Sequence, residues 1–342
     1  MRTPTTAATG IVITELDPSA LGDADAAALA TLSTAAQAVD APHLDPVDAA
    51  YVRRRHAFDH DMQPTHTLLV ANDGDELAGS AEMQVAHWDN PEHASIELEV
   101  HPEHRGRGVA STLYARVEER ARAAGRSRLM ADAWLGSAQQ DFWERHGFTV
   151  GMVAAQRRLF MADLDPVHAN GLLATAEAAS SDYELVDLPN PAPEDVVPGM
   201  LDLHTAMNDS PLDDLVLDAD QWPVERFRGY ERAMSARGFR LHRLLARRRS
   251  DGVLGGHTVV VTEQDRPWLG SQEDTAVVAG HRGHKLGLRL KVAMLQRLAE
   301  REPQVHHIDT WNAESNRHML AVNDALGCVV VGRSAELQRV LP

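Results

Sequence analysis

The strongest constraint on this chain is that it repeats itself. Arg105 and Arg282 are 177 positions apart, as are Gly79 and Gly256, while Gly147 and Gly327 are 180 apart. A common offset at three turn landmarks, with a three-residue slip in the loops, predicts two copies of one fold. The period is too long for a solenoid unit. At 342 residues the chain has room for two domains of ordinary size. The repeat divides it into residues 1–164, a linker over 165–182 and residues 183–342. The linker opens with Asp165-Pro166 and continues rich in alanine and serine, with part of it helical in pattern. Residues 1–9 read as an unstructured tip.

Each copy is organised around a short turn. In the first, Ile96-Glu97-Leu98-Glu99-Val100 alternates as a strand does, and Ser111 to Glu119 follows a helical pattern. Between them lies His104-Arg105-Gly106-Arg107-Gly108-Val109-Ala110. Glycine permits positive φ and a close backbone approach to a ligand. The first helical turn leaves N–H groups unpaired, and the helix dipole favours an anion there, typically a phosphate. The second copy has Thr275-Ala276-Val277-Val278-Ala279, then Gly280-His281-Arg282-Gly283-His284-Lys285-Leu286-Gly287. No Gly-Lys-Ser/Thr follows either turn, and the Gly-x-Gly-x-x-Gly dinucleotide pattern is absent.

Composition narrows the partners. Hydrophobic residues make up 44% and charged residues 24%, a globular balance. A net charge of −17 argues against nucleic acid, even though Arg105-Gly106-Arg107-Gly108 superficially matches an RNA-binding box. It favours solubility and, more weakly, amine-bearing small molecules. The single cysteine, Cys328, excludes an intrachain disulfide and fits a cytoplasmic setting. No apolar run approaches a membrane span, and Met1 to Thr6 lacks a signal core. His281 and His284 lack partners at metal-ligand spacing, so no metal site is expected.

Arg105-x-x-Gly108-x-Ala110 resembles the Arg/Gln-x-x-Gly-x-Gly/Ala acyl-CoA signature of the GNAT family of N-acyltransferases. Thr310-Trp311-Asn312, Asn316-Arg317-His318-Met319 and Asn323-Asp324-Ala325-Leu326-Gly327 resemble the family's late segment. The resemblance covers the whole chain as two tandem domains. It implies an α/β (α+β) fold, each copy a mixed, mostly antiparallel central sheet flanked by helices. It also implies acetyl-CoA as co-substrate and a small-molecule amine as acceptor, in a monomer or homodimer. The main alternative is a non-catalytic acyl-CoA-binding or scaffold protein. Mycothiol synthase is also a tandem GNAT protein, which adds an aminosugar acceptor as a sub-alternative.

By the same resemblance, the coenzyme binds Arg105, Gly106, Arg107, Gly108, Val109 and Ala110 in the first copy. In the second it binds Arg282, Gly283, His284, Lys285 and Gly287, with Asn316 and Asn323 on the late helix. A strand N–H in Leu98-Glu99-Val100 or Thr275-Ala276-Val277 polarises the thioester carbonyl, which requires the strand to splay from its neighbour there. Leu98, Val100 and Val277 are the positions expected at that edge. Lys285 replaces the signature's central glycine, and Asn312 reads as the cap of the late helix. The family's general acid is a tyrosine where this chain has Trp143 and Asn323, neither of which is an acid. Tyr114 reads as packed. For the base, Glu97 and Glu99 share one strand face, and Asp274 is the counterpart of Glu97. Asp132 and Asp309, on the following strands, are weaker candidates.

Overall fold

The computed structural model describes Thr5–Thr6, residues 10–60 and residues 62–342. In chain order the first elements are β1 (Thr5–Thr6), β2 (Ile11–Leu16), α1 (Asp23–Asp40), α2 (Ala49–Ala57), β3 (Thr67–Asp73), β4 (Glu76–Val85) and β5 (His93–Val100). They are followed by α3 (Val109–Ala123), β6 (Arg128–Trp134), α4 (Ala138–Arg145) and β7 (Thr149–Phe160). After α5 (Pro166–Ala179) the order recurs: β8 (Tyr183–Leu188), α6 (Val197–Thr205), α7 (Val224–Ala236), β9 (Phe239–Arg248), β10 (Leu254–Glu263) and β11 (Leu269–Val277). Last come α8 (Leu286–Arg301), β12 (His307–Ala313), α9 (Arg317–Ala325) and β13 (Val329–Val340). Most of the tip expected over residues 1–9 lies outside the described residues, but Thr5 and Thr6 pair with Ile13 and Val12.

The chain forms two compact units, and they are not consecutive halves. The first comprises the described residues up to 153 with 212–218 and 332–342, and the second comprises 154–211 with 219–331. In the first unit β1 to β5 pair antiparallel in sequence order, and β5 pairs parallel with β6. The far edge of β6 pairs with the end of β13, from Ser334↔Trp134 to Val340↔Arg128. The second unit is built alike: β8, β9, β10 and β11 run antiparallel, β11 pairs parallel with β12, and β12 takes residues 154–160 of β7. Each half of the sequence therefore supplies the closing strand of the other unit's sheet. The division at 164 places residues 154–164 in the first domain, whereas they pack in the second. The expected linker is largely α5, with Ala169 and Ala176 buried in the second unit.

Helices cover both faces of each sheet. On β3 the alternation sends Leu69 and Ala71 toward α3, while Leu68 and Val70 pack with α1 and α2. In the second unit α8 and α5 share one core, and α6 and α7 pack on the opposite face around Phe227 and Leu245. The repeated glycines have a packing reason. A Cβ on Gly79 would sit 2.8 Å from the Glu99 carbonyl oxygen, and one on Gly256 would sit 2.9 Å from that of Ala276. Any larger residue there would push these neighbouring strands apart.

Candidate active site

In the first unit the parallel ladder between β5 and β6 ends at Ile96↔Ala131, although β5 continues to Val100 alongside β4. His101 N–H donates to the Ala78 carbonyl at 2.9 Å, which sets the alternation along β5. Leu98 and Val100 therefore turn their N–H and C=O groups away from β4, toward the edge that β6 has left. Two carbonyls on that edge are occupied: Gln139 Nε2 donates to Leu98 O at 3.0 Å, and Arg105 Nε donates to Val100 O at 3.2 Å. The Leu98 N–H faces the gap.

The turn follows directly. Gly106 and Gly108 have φ of 76° and 83°, and Gly108 is the N-cap of α3. That cap makes no side-chain hydrogen bond, so the first-turn N–H groups are not satisfied by a side chain. A Cβ at either glycine would meet nothing within 4 Å, so the space over the turn is open. Val109 is buried in the core and Ala110 packs against it, leaving only their backbones to face a ligand. These features fit a diphosphate: open space, exposed N–H donors and the positive end of a 15-residue helix.

The second unit reproduces this with two differences. The β11–β12 ladder stops at Gln272↔Thr310, and Thr275 and Val277 face the resulting gap. Arg282 Nε donates to Val277 O at 3.0 Å, as Arg105 does in the first unit. The first difference is a bulge. The β10–β11 register shifts between Thr258 and Val260, opposite Glu273 and Asp274, and Gln272 Nε2 donates to the Val259 carbonyl at 2.6 Å. The second is that Lys285 caps α8 with φ 53°, the left-handed conformation Gly108 supplies in the other copy. Gly283 keeps φ 86°, a Cβ on Gly287 would meet the Thr275 Cγ2 at 4.0 Å, and His284 is exposed beside Tyr183.

The signature arginines are tied into the protein. Arg105 forms a bidentate pair with Asp40 at the end of α1, at 2.9 and 2.6 Å. Arg282 pairs with Asp209 after α6. Both lock the turn to the preceding helical region, so their side chains position the cradle and its backbone is what remains free. Arg107 is half-exposed and lies 3.2 Å from Asp73.

The expected base candidates lie in a larger carboxylate row. Glu82 on β4 is directly opposite Glu97 on β5, and Asp132 on β6 is directly opposite Glu336 on β13. Asp132 stands one residue beyond the Ile96↔Ala131 pair, across the gap from Glu97. Arg55 of α2 reaches Glu82 at 3.0 and 2.6 Å and Glu97 at 2.6 Å. His56 Nδ1 lies 3.0 Å from Glu82, and Ser33 of α1 donates to Glu99 at 3.1 Å. Glu82 is buried, yet Arg55 and His56 hold its carboxyl down at about 2. Arg55 also pulls on Glu97, but lost hydration and the charges of Glu82, Glu99 and Asp132 outweigh it and lift Glu97 to about 7. Glu97 keeps 62% of its side-chain surface, so it borders the gap while protein displaces part of its water. Glu99 is raised mainly by burial, and Glu336 rises to about 7 through burial and Asp132. A carboxylate near neutrality at an open edge is suited to taking a proton from an ammonium.

The second unit arranges this region differently. Asp274 Oδ2 lies 3.3 Å from Nδ1 of His204, a nearly buried residue of α6. His204 stacks on Trp222 at 4.2 Å and meets Tyr230 and His257 edge-on. Burial and His204 press His257 down to about 3, so it is neutral. Burial and Asp274 lift Glu273 to about 7. Asp309 is engaged by Arg158 at 2.7 and 2.8 Å, which makes it a structural ion pair.

The late-helix expectations change in detail. Asn316, not Asn312, caps α9, accepting from Met319 N–H at 3.2 Å. Asn323 is fully buried: it accepts from Lys291 Nζ and donates to Asn312 Oδ1, both at 2.7 Å. It is therefore a core residue, unable to hold a coenzyme with its side chain. Trp143 is equally buried, within an aromatic cluster with Tyr114, Phe142 and Phe148. Arg55, Glu82, His204 and Glu336 were not singled out by sequence. The one available signal was the acids of β5 two apart, Glu97 and Glu99, with Glu82 on the preceding strand; the hairpin register sets Glu82 opposite Glu97 on a common face.

Residues 33–148 match the model of the acetyltransferase (GNAT) family. Over nearly its whole length the chain is similar to a solved structure described as a tandem GNAT protein from the clavulanic acid biosynthesis pathway, without AcCoA. That match has 22% identity and a TM-score of 0.78, covering 96% of this chain and 98% of the other. A GCN5-related N-acetyltransferase from Sphaerobacter thermophilus matches at 16% identity and a TM-score of 0.70, covering 98% and 97%. At these identities the likeness is one of fold. No curated protein matches the chain. Among the described residues no helix is long and apolar enough to cross a membrane.

Proposed function

We propose, for a chain whose residues 33–148 form an acetyltransferase (GNAT) family domain within a tandem GNAT fold, that it moves an acetyl group from acetyl-CoA to the amine of a small molecule. The fold supports acyl transfer in general. The more specific reading assigns the chemistry to the first unit, and one observation carries it. What supports it is that β5 is unpaired with β6 beyond Ile96, along the stretch that carries the Leu98 N–H and the raised carboxyl of Glu97, and that the strand runs on into the turn that starts α3 at Gly108.

In this reading the first-turn N–H groups of α3 hold the diphosphate, and Arg105 keeps the turn in place through Asp40. The Leu98 N–H polarises the thioester carbonyl as negative charge grows on its oxygen. Glu97 takes the ammonium proton directly or through water, and the neutral amine attacks the carbonyl carbon. The tetrahedral adduct then collapses: the C–S bond breaks, the nitrogen gives up its remaining extra proton to water, and the departing thiolate takes a proton from water. Glu99, held by Ser33, and the other acids of the row orient the cationic acceptor. In the second unit, Asp274 faces His204, and the α8 cradle binds coenzyme without turnover. Localisation in the cytoplasm and a monomeric or dimeric state accompany this reading.

A non-catalytic acyl-CoA-binding protein is the second reading. It is favoured by the buried Trp143 and Asn323 at the positions of the family's acid. Thiol release from acetyl-CoA, measured with a panel of primary amines, separates the two. Amine-dependent release supports the transferase, and tight coenzyme binding without release for any amine supports the binder.

A further inference from the structure

We propose that Arg55 is a positioning residue of the first unit: mounted on the buried Glu82, its guanidinium grips one oxygen of Glu97, keeps that carboxyl ionised and leaves the other oxygen to the acceptor's ammonium. This rests on the reading of Glu97 as the base. Arg55 and His56 lie in the last turn of α2, whose first turn is capped by Asp48 accepting the Tyr51 N–H at 2.7 Å. Arg55 Nη1 donates to Glu82 Oε2 at 3.0 Å, and Nη2 donates to Glu82 Oε1 and to Glu97 Oε2, both at 2.6 Å. Two bonds therefore go to Glu82 and one to Glu97. The inner end of this chain is fixed. Glu82 Oε2 also lies 3.0 Å from His56 Nδ1, which is 3.2 Å from Thr65 Oγ1, and the Thr65 N–H donates to the His56 carbonyl at 2.9 Å. A bidentate guanidinium–carboxylate pair fixes direction as well as distance. The outer end is open. Side-chain exposure rises from 8% at Glu82 through 28% at Arg55 to 62% at Glu97. Glu97 Oε1 makes no hydrogen bond among the described residues.

Charge gives this mount a consequence beyond geometry. The titratable and charged groups around Glu97 are Tyr51, Arg55 and His56 from α2, Glu82 from β4, Glu99 from β5 and Asp132 from β6. The element α1 contributes the neutral Ser33, bonded to Glu99. Arg55 is the one permanent cation of that set, because a guanidinium does not lose its proton in a protein. Its pull is the largest single influence on Glu97, and lost hydration with three carboxylates opposes it. Without the guanidinium those opposing influences act alone, so Glu97 holds its proton at neutral pH and cannot accept one from an ammonium. The second unit has no such mount at the counterpart of Glu97: Asp274 there faces Nδ1 of His204 at 3.3 Å.

The test is carbon-13 NMR titration of the full chain labelled at glutamate Cδ, with the Glu97 signal assigned by its loss in Glu97→Gln. Arg55→Met strands the buried Glu82 and risks the fold, so Arg55→Met/Glu82→Gln, which removes the stranded charge as well, is measured beside it. The Glu97 midpoint should rise by about one pH unit or more in Arg55→Met, and by less in the double variant, since the charge of Glu82 that also raises it is gone. Turnover of acetyl-CoA with the panel of primary amines should fall about tenfold at pH 7 in the variants that fold and return near pH 9, because the acidic limb follows the midpoint. A merely structural role would lower turnover equally at every pH. An unmoved Glu97 midpoint in the double variant would overturn the proposal, and so would a loss of turnover that is the same at pH 7 and pH 9. A midpoint that moves while Glu97→Gln keeps full activity would instead overturn Glu97 as the base and leave the grip of Arg55 on it standing.

Discussion

The two units share one element order, but their gaps are equipped differently. The first has glycine at the left-handed cap of α3, an uninterrupted β4–β5 register and a row of five carboxylates answered by one arginine. The second has lysine at that cap, a bulge opposite Glu273 and Asp274, and one carboxylate facing a buried, stacked histidine. Behind the helix start, the first unit packs aromatics around Tyr114 and Trp143. The second buries Lys291 on Asn323, with burial lowering the ammonium to about 8. The shared parts are those that main-chain geometry dictates, namely the splayed strand and the helix start. The parts that differ are side chains that decide which protons can move. The repeated scaffold thus keeps its main-chain geometry while the side chains around the gap diverge.

The largest expected effect is on coenzyme binding. Gly108→Trp should abolish binding in the first unit, since φ is 83° there and the indole would occupy the open space over the turn. Calorimetry should lose one class of site, and unchanged stoichiometry would show the first cradle to be unused. Next is core stability. Asn323→Leu removes the only group bonded to the Lys291 ammonium among the described residues, and should cost about 2–3 kcal/mol in denaturant unfolding. A change below about 0.5 kcal/mol would mean the network is dispensable.

A smaller effect concerns pH. Glu82 has its folded value depressed to about 2, so its stabilising contribution is present above the ordinary carboxylate range and is lost as pH falls toward 2. Glu97, Glu273 and Glu336 are raised to about 7, so theirs is present below that range and is lost as pH rises through 7. Glu97→Gln should therefore flatten the decline in melting temperature between about pH 5 and pH 8, and an unaltered slope would remove Glu97 from that role. The smallest effect is at the second cap. Lys285→Gly should relieve left-handed strain at some cost in unfolded-state entropy, a net gain of about 0.5–1 kcal/mol. Loss of stability would mean the lysine side chain contributes more than its backbone conformation costs.

Much of this was legible in the sequence, and the residues explain which parts. Gly79, Gly106, Gly108 and Gly283 stand where a close approach or a positive φ leaves little choice, so spacing alone located the turns and the repeat. Glu97 and Glu99 were legible from alternation on β5. The strand exchange was not: residues 154–160 read as a strand, but a period of two does not reveal which edge a strand joins. A spacing of seven puts Asn316 and Asn323 on one face of a continuous helix, and the structure departs from that. Asn316 lies outside the helix as its cap, and Asn323 turns inward to Lys291. Arg55 and His204 come from early helices whose patterns specify packing and leave the contacts across the sheet face unstated.

The central claim is that acyl transfer takes place at the β5 gap of the first unit with Glu97 as base. Its most direct test is turnover of Glu97→Gln and Asp274→Asn measured side by side with the best amine found. The account predicts a fall in kcat of about 100-fold or more for Glu97→Gln, with acetyl-CoA affinity within threefold, and a change below threefold for Asp274→Asn. Full activity in Glu97→Gln, or the large loss appearing in Asp274→Asn instead, would contradict it.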